Sequence, residues 1–150
     1  MELVYESATA ADIDRIFDLN NRLICQYEDL QAIDLEKVLA WVKRKITNHI
    51  GSYTRILWQG ELAGYYRLVP NGEEMELDDF YIFPEFQGRG IGSAVLHHCC
   101  DIGKPIMLYV FTGNHGAIAL YRRFGFDISE TVDTTRVIMR RAAEIRQEVL

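Results

Sequence analysis

Residues 81–92 read Tyr81-Ile82-Phe83-Pro84-Glu85-Phe86-Gln87-Gly88-Arg89-Gly90-Ile91-Gly92. An apolar strand end runs into a proline, then a glycine-rich loop, then the helix-like stretch SAVLHHCCDI of residues 93–102. Glycine has no Cβ, so main-chain N–H groups in such a loop can come close to an anion. The helix N-terminus behind the loop adds roughly half a positive charge. Together they make a cradle for phosphate or pyrophosphate. A tight strand-to-helix turn without a ligand is the plainer alternative. The loop is not a Walker A motif, because Gly92 is followed by Ser93-Ala94 rather than by Lys-Ser/Thr. A dinucleotide fingerprint is equally absent, since Ser93 stands where its third glycine belongs.

The flanking sequence places this loop late in a mixed α/β sheet. Residues 2–8 read as a first strand. Thr9 and Asp12 resemble a capping box, and Ile13, Ile16, Phe17, Leu23 and Ile24 then recur at helical spacing. Asp34 can cap a second helix, with Leu35, Val38, Leu39, Val42, Ile46 and Ile50 on one face and Gly51 as the stop. The period then changes. Residues 52–58 and 61–69 form two strands joined at Gln59-Gly60, Pro70-Asn71-Gly72 marks a turn, and 75–83 is a further strand. After the loop come a helix, a strand at 106–111, a helix at 117–124 and strands near 126–130 and 135–140. Residues 142–150 fit a short helix or a frayed tail. Helices inserted among hairpins argue for a mixed sheet.

Composition limits the function classes. The 150 residues are 49% hydrophobic and 25% charged, which suits one domain with its own core. No apolar run nears the ~18 residues of a membrane span, and the start, MELVYESATAADID, does not look like a signal peptide. The net charge is −6 and the densest charge run, residues 73–79, is acidic, so a nucleic-acid partner is not expected. Cys25, Cys99 and Cys100 do not form a disulfide framework, and a reducing cytoplasm is the expected setting. His97-His98-Cys99-Cys100 is not read as a metal site, because four successive helical residues point about 100° apart. With Ile91, Val95 and Ile102 inward, His98 and Cys99 would face the core and His97 and Cys100 would face out. His49 and His115 have no paired ligand spacing, and no metal is expected.

Two blocks together resemble a known family. Gln87 through Gly92 is similar to the Gln/Arg-x-x-Gly-x-Gly/Ala signature of the GCN5-related N-acetyltransferases (GNAT family). Downstream, Asn114, Ala117, Leu120-Tyr121 and Gly125-Phe126 are similar to that family's Asn-x-x-Ala-x-x-Leu-Tyr-x-x-x-Gly-Phe block. The resemblance is carried by about residues 75–127. It implies a single GNAT-like α/β (α+β) domain over residues 1–150, with a mixed, mostly antiparallel sheet of about seven strands flanked by about four helices. It implies that the fourth and fifth strands splay apart and that acetyl-CoA lies in the opening. Phe80, Tyr81 and Ile82 would offer backbone groups to the pantetheine. Gln87, Gly88, Arg89, Gly90, Ile91, Gly92 and Ser93 would hold the pyrophosphate, with Asn114 and Ala117 also at the cofactor. Tyr121 matches the family's frequent general acid, and Glu76 a position where some members carry a base.

The chemistry of acetyl transfer to an amine suits these residue types. An alkylamine has a pKa near ~10.4, so a base must help expose its lone pair at neutral pH. A phenol can protonate the departing thiolate. No enzyme nucleophile is needed, so the three cysteines are not expected to be catalytic. Glu76, Asp78 and Asp79 all compete for the role of base. Alternation puts Glu76 and Asp78 on one strand face and Asp79 on the other, unless a bulge changes the parity. Tyr121 also fits core packing, in a stripe with Ala117, Leu120 and Phe124. For the acceptor pocket the candidates are Tyr27, Glu28 or Asp29 between the first two helices, Tyr65 or Tyr66 on the adjacent strand, and Asp78. The expected acceptor is a small amine or a protein amino group, in a protein that can pair as a homodimer. A non-catalytic acyl-CoA sensor and an interaction domain with an unused cleft are the competing readings.

Overall fold

A computed structural model describes residues 1–143; the end of the 142–150 tail therefore lies outside the described residues. In chain order the elements are β1 (Leu3–Ser7), α1 (Ile13–Tyr27), α2 (Leu35–His49), β2 (Tyr53–Trp58), β3 (Glu61–Asn71) and β4 (Glu74–Ile82). They continue with α3 (Ile91–Cys100), β5 (Ile106–Phe111), α4 (His115–Arg123), β6 (Asp127–Thr131) and β7 (Arg136–Arg141). The seven strands form one sheet in the order β1-β2-β3-β4-β5-β7-β6. Every neighbouring pair is antiparallel except β4 and β5, which run parallel. No helix among the described residues is long and apolar enough to cross a membrane.

Each sheet face is covered by one helix pair. Ile16 and Ile24 of α1 and Val42 and Ile46 of α2 pack with Tyr53, Tyr65 and Phe83. Ile91, Val95, Leu96 and Cys99 of α3, with Tyr121 of α4, pack with Tyr66, Leu77, Leu108, Phe126 and Met139. Adjacent Tyr65 and Tyr66 therefore enter opposite cores, as strand alternation requires. Asp12 reaches back to accept from the Thr9 N–H at 2.9 Å, but this turn is a 3-10 turn and α1 starts only at Ile13. Asp34 caps α2 by accepting from the Lys37 N–H at 3.2 Å.

Three expectations are corrected. The Pro70-Asn71-Gly72 segment is not all turn: β3 runs on to Asn71, and Pro70 pairs with Met75. The Met75 amide turns the other way, to the Pro105 carbonyl at 2.8 Å, so the proline's missing N–H is not needed there. The helix expected at 117–124 begins at His115, because the Asn114 side chain caps it by accepting from the Ala117 N–H at 3.3 Å. On α3 the inward stripe is Ile91, Val95, Leu96 and Cys99. Ile102 lies past the helix end and is half exposed, so His98 is turned to the surface, where it stacks on Tyr5 at 4.2 Å.

Two backbone features set how β3 and β4 meet. On β3, Tyr65 opposes Tyr81 and Arg67 opposes Asp78, so Asp79 and Phe80 together face the single residue Tyr66. This is a β-bulge, with Asp79 at φ +47°. A little further on, Gly64 lies so close to β4 that a Cβ would stand 2.0 Å from the Tyr81 carbonyl oxygen. Gly64→Ala should therefore push β3 from β4 and cost about 1–3 kcal/mol or more. A urea midpoint equal to wild type would contradict that contact.

Candidate active site in the cleft between two parting strands

Parallel β4 and β5 share only two residue pairs, Met75 with Ile106 and Glu76 with Met107. Beyond them β4 continues to Ile82 and β5 to Phe111 without pairing, and the sheet opens. A cleft of about 1290 Å³ fills the gap and extends along the helix layers on both sides.

One wall is built from the loop and the helices behind it. Gly88 and Gly90 have φ of +76° and +82°, left-handed values that favour glycine. Gly90 is the N-cap of α3, and the helix's first hydrogen bond runs from the Ala94 N–H to the Gly90 carbonyl at 3.1 Å. The N–H groups of the turn before it lack intrahelical acceptors, the condition for an anion site. Gly88, Gly90, Ile91, Gly92 and Ser93 all line the cleft. A Cβ on Gly92 would meet Leu120 at 3.5 Å, with Ile82 and Phe80 just beyond, so α3 approaches β4 closely here. Gln87 donates from its side chain to the Ile82 carbonyl at 3.0 Å and ties the loop to the strand end. Arg89 differs from its neighbours. Its exposed side chain lies 5.2 Å over the Trp58 ring, and Arg89 does not line the cleft.

Asn114, Ala117, Leu120 and Tyr121 continue this wall from α4. The Tyr121 ring sits between Phe80 (6.5 Å) and Phe126 (5.7 Å), so the residue packs in the core and also lines the cleft. Burial, helped by nearby Cys99, pushes its phenol well above the ordinary value. Burial and neighbouring Cys100 likewise push the Cys99 thiol up to about 12, so it is a neutral thiol and a poor nucleophile.

The opposite wall is acidic and comes from β4, α1 and α2. Glu76, Asp78 and Asp79 all line it. The bulge is the reason: it brings Asp79 round to the α1/α2 side, where simple alternation would have turned it away. Asp79 is nearly buried and accepts from the Tyr53 hydroxyl at 2.6 Å and the Tyr81 hydroxyl at 3.4 Å. Lys45 of α2 forms a close ion pair with Asp78 and lies 3.6 Å from Asp79. Arg67 of β3 lies 3.5 Å from Asp78 and donates to Ser52 at 2.7 Å. Burial, then the charge of Asp78, raises the Asp79 pKa. Burial alone would lower that of Lys45, but Asp79 and Asp78 raise it. Glu76 is bound more loosely, with Asn71 at 3.4 Å, and burial followed by Asp78 raises its pKa.

The remaining expected acceptor residues divide. Glu28 lines the cleft and accepts a hydrogen bond from Thr135, which joins the end of α1 to the β6–β7 turn. Tyr27 stacks on Phe111 at 5.7 Å beside it. Asp29 instead closes its own turn by accepting from the Gln31 N–H. Tyr66, expected at the acceptor, lies in the core beneath α3 with Tyr5 against its ring, because alternation sends it to the face away from the acidic wall. Its neighbour Tyr65 is also withdrawn, donating to buried Asp12 at 2.7 Å. Lys45, Arg67 and Tyr53 were not anticipated. Lys45 stands three residues after Val42 and next to Ile46, at the margin of the apolar stripe, and that spacing was the available signal.

With this geometry the comparisons with known proteins agree. The model of the acetyltransferase (GNAT) family matches residues 13–126, and the chain belongs to that family. It is 34% identical over 92 residues to the spermine/spermidine N(1)-acetyltransferase of Bacillus subtilis (strain 168), a match covering 52% of this chain and 60% of that one. With the mycothiol acetyltransferase of Streptomyces coelicolor it shares 39% over 80 residues, 48% of this chain and 26% of that one. It thus spans about three fifths and one quarter of those relatives' lengths. Among solved structures, the PaiA N-acetyltransferase of Thermoplasma acidophilum in complex with coenzyme A has the same fold. Its TM-score is 0.72 at 19% identity, over 95% of this chain and 99% of that one. The Escherichia coli ribosomal-protein-S18-alanine N-acetyltransferase superposes with TM-score 0.68 at 20% identity, over 99% of each chain.

The buried acidic cluster makes a prediction of its own. Tyr53→Phe leaves Asp79 one donor short and should cost about 1–3 kcal/mol. Urea unfolding checks this, and an unchanged midpoint would mean that the hydroxyl does not support Asp79.

Proposed function

We propose that the protein is an N-acetyltransferase that moves an acetyl group from acetyl-CoA directly to the nitrogen of an amine. The observation that carries this reading is the parting of β4 and β5 in front of an α3 N-terminus whose loop is held open by left-handed glycines. Unpaired main chain on β4 and unpaired N–H groups on α3 suit an elongated ligand that is amide-like at one end and anionic at the other. Acetyl-CoA is such a molecule, and when bound it supplies an activated thioester carbonyl. The catalysed step exchanges the carbon–sulfur bond for a carbon–nitrogen bond, so one proton must leave the amine and one must reach the sulfur.

Residues of this chain fit each task. The main chain of Phe80, Tyr81 and Ile82 would pair with the pantetheine arm, although the Ile82 carbonyl already accepts from Gln87. Main-chain N–H groups from Gly88 to Ser93 would hold the pyrophosphate, with Gln87 and Arg89 shaping the loop and Ala117 packing alongside. Asn114 uses its carbonyl oxygen as a helix cap, which leaves its side-chain N–H2 to donate to the ligand. Tyr121 is the acid: burial keeps the phenol protonated until a thiolate in the same apolar surroundings needs the proton.

Among the three carboxylates, Glu76 fits the base best. Asp78 is taken up by Lys45 and Arg67, and Asp79 by Tyr53, Tyr81 and Lys45. Glu76 lines the cleft with a raised pKa, which makes it the better proton acceptor. The acidic wall and the spermine/spermidine relative both favour a cationic amine as acceptor. Glu28, which lines the cleft, and Tyr27 beside it flank its approach to Glu76, and residues 1–150 act as one catalytic domain.

The decisive experiment is coenzyme A thiol release across a panel of amines, together with cofactor binding. At about 100 times its Kd, acetyl-CoA should stabilise the protein by about 2.7 kcal/mol. Binding without acceptor-dependent thiol release would favour an acyl-CoA sensor instead. Tyr121→Phe should lower turnover by about 10²-fold with coenzyme A affinity nearly unchanged. An unchanged rate would remove Tyr121 from the chemistry. In Gly90→Val a branched side chain is forced into a left-handed conformation beside the cradle, and coenzyme A binding should be lost in calorimetry. Because Glu76 must be ionised to accept a proton and burial raises its pKa, activity should fall as pH drops through a point above the ordinary glutamate value. Glu76→Gln should abolish that acidic limb, and a limb that persists would exclude Glu76 as its source.

A further inference from the structure

The bulge places three carboxylates on one wall within four residues of a strand: Glu76, Asp78 and Asp79. Such a cluster has an obvious defect for a reaction that needs a neutral amine. Carboxylates in a partly dry cleft attract an ammonium ion and hold it protonated, and a protonated amine has no lone pair. The structure answers with cations of its own. Lys45 enters from α2 and contacts both Asp78 and Asp79, while Arg67 enters from β3 and contacts Asp78. The side chain of Lys45 is only 21% exposed, and its ammonium lies 5.8 Å from the Trp41 ring, which covers it from the same helix.

Resting on the proposed function above, we propose that Lys45 is a positioning residue for acetyl transfer: a resident ammonium that occupies Asp78 and Asp79 and leaves Glu76 as the carboxylate of β4 open to the incoming amine. The neighbours are consistent with this from every side. β4 supplies Glu76, Asp78, Asp79 and the Tyr81 hydroxyl, and β3 supplies Arg67. The Tyr53 hydroxyl comes from β2 and Asn20 from α1. His49 lies one turn beyond Lys45 on the same wall. Among the described residues only Lys45 pairs with both aspartates. Arg67 reaches Asp78 alone and is tethered to Ser52. Lys45 also acts on Glu76 through space, where its charge favours the ionised form against burial and against Asp78.

The test compares wild type with Lys45→Met, which keeps the length of the side chain and removes its charge, and with Lys45→Arg, which keeps the charge. Two readouts are used: acetyl-transfer kinetics against pH with one alkylamine acceptor, and calorimetric binding of butylamine without turnover. In Lys45→Met, butylamine should bind about tenfold more tightly, because the aspartates are unmasked. The acceptor KM should fall together with kcat, and the acidic limb of kcat/KM should move to higher pH, since Glu76 loses the cation that favours its ionised form. Lys45→Arg should restore all three. A merely structural lysine would instead lower the unfolding midpoint and kcat and leave the limb and the butylamine affinity where they were, and that result would overturn the proposal. Full wild-type behaviour in Lys45→Met would overturn it as well. Should wild type acetylate no amine while Lys45→Met still binds butylamine more tightly, the masking role stands and the transferase reading falls. Coenzyme A affinity checks that each variant is folded.

Discussion

Main-chain pairing between β4 and β5 that stops after two residue pairs is the constraint around which this molecule is built. After Glu76 and Met107 the parallel strands no longer pair, and β4 carries its remaining polar groups into an open cleft. Backbone groups withdrawn from water need partners, so an interior strand left unpaired is costly unless something completes it. The surroundings converge on this opening. α3 points its first turn into the opening, α4 brings Tyr121 to its side, and Gln87 ties the loop to the end of β4.

The bulge at Asp79 decides the chemistry of the other wall. A regular strand would share its three carboxylates between the faces and bury one against the apolar layer beneath α3 and α4. The extra residue keeps all three on the side of α1 and α2, at the expense of a non-glycine residue in a left-handed conformation. Such crowding is tolerable only with compensating cations and donors, and Lys45, Arg67, Tyr53 and Tyr81 come from four different elements to supply them. These contacts also staple α2 to the sheet, so the electrostatics of the cleft and the packing of the fold cannot be varied independently.

Family membership sits naturally with this division of labour. The wall of the cleft formed by the loop and the start of α3 is made largely of main chain and glycine, and it depends on little beyond φ and the absence of a Cβ. The half that would meet the acceptor is made of side chains from α1, α2, β3, β4 and the β6–β7 turn. Such a surface can change from protein to protein while the sheet stays the same.

The order and type of nearly every element were legible in the amino-acid sequence, since apolar periodicity, the cap at Asp34 and the glycines at 60, 88 and 90 are local signals read within a few residues. That the glycine loop, Asn114 and Tyr121 come together on one wall of a cleft was suggested for the same reason: they lie within two contiguous motifs. Local signals misled where a strand's fate depends on its neighbour. Pro70 looked like a turn until the direction of the Met75 amide was known, and Tyr66 looked available until its face was known. The parity of Asp79, the pairing of Lys45 and Arg67 with residues far along the chain, and the looser hold on Glu76 among three carboxylates were decided by tertiary structure alone. Periodicity assigns a residue to a face of its own element, but a bulge is a mismatch between two strands, and an ion pair across 33 residues exists only once both have been packed against a common sheet.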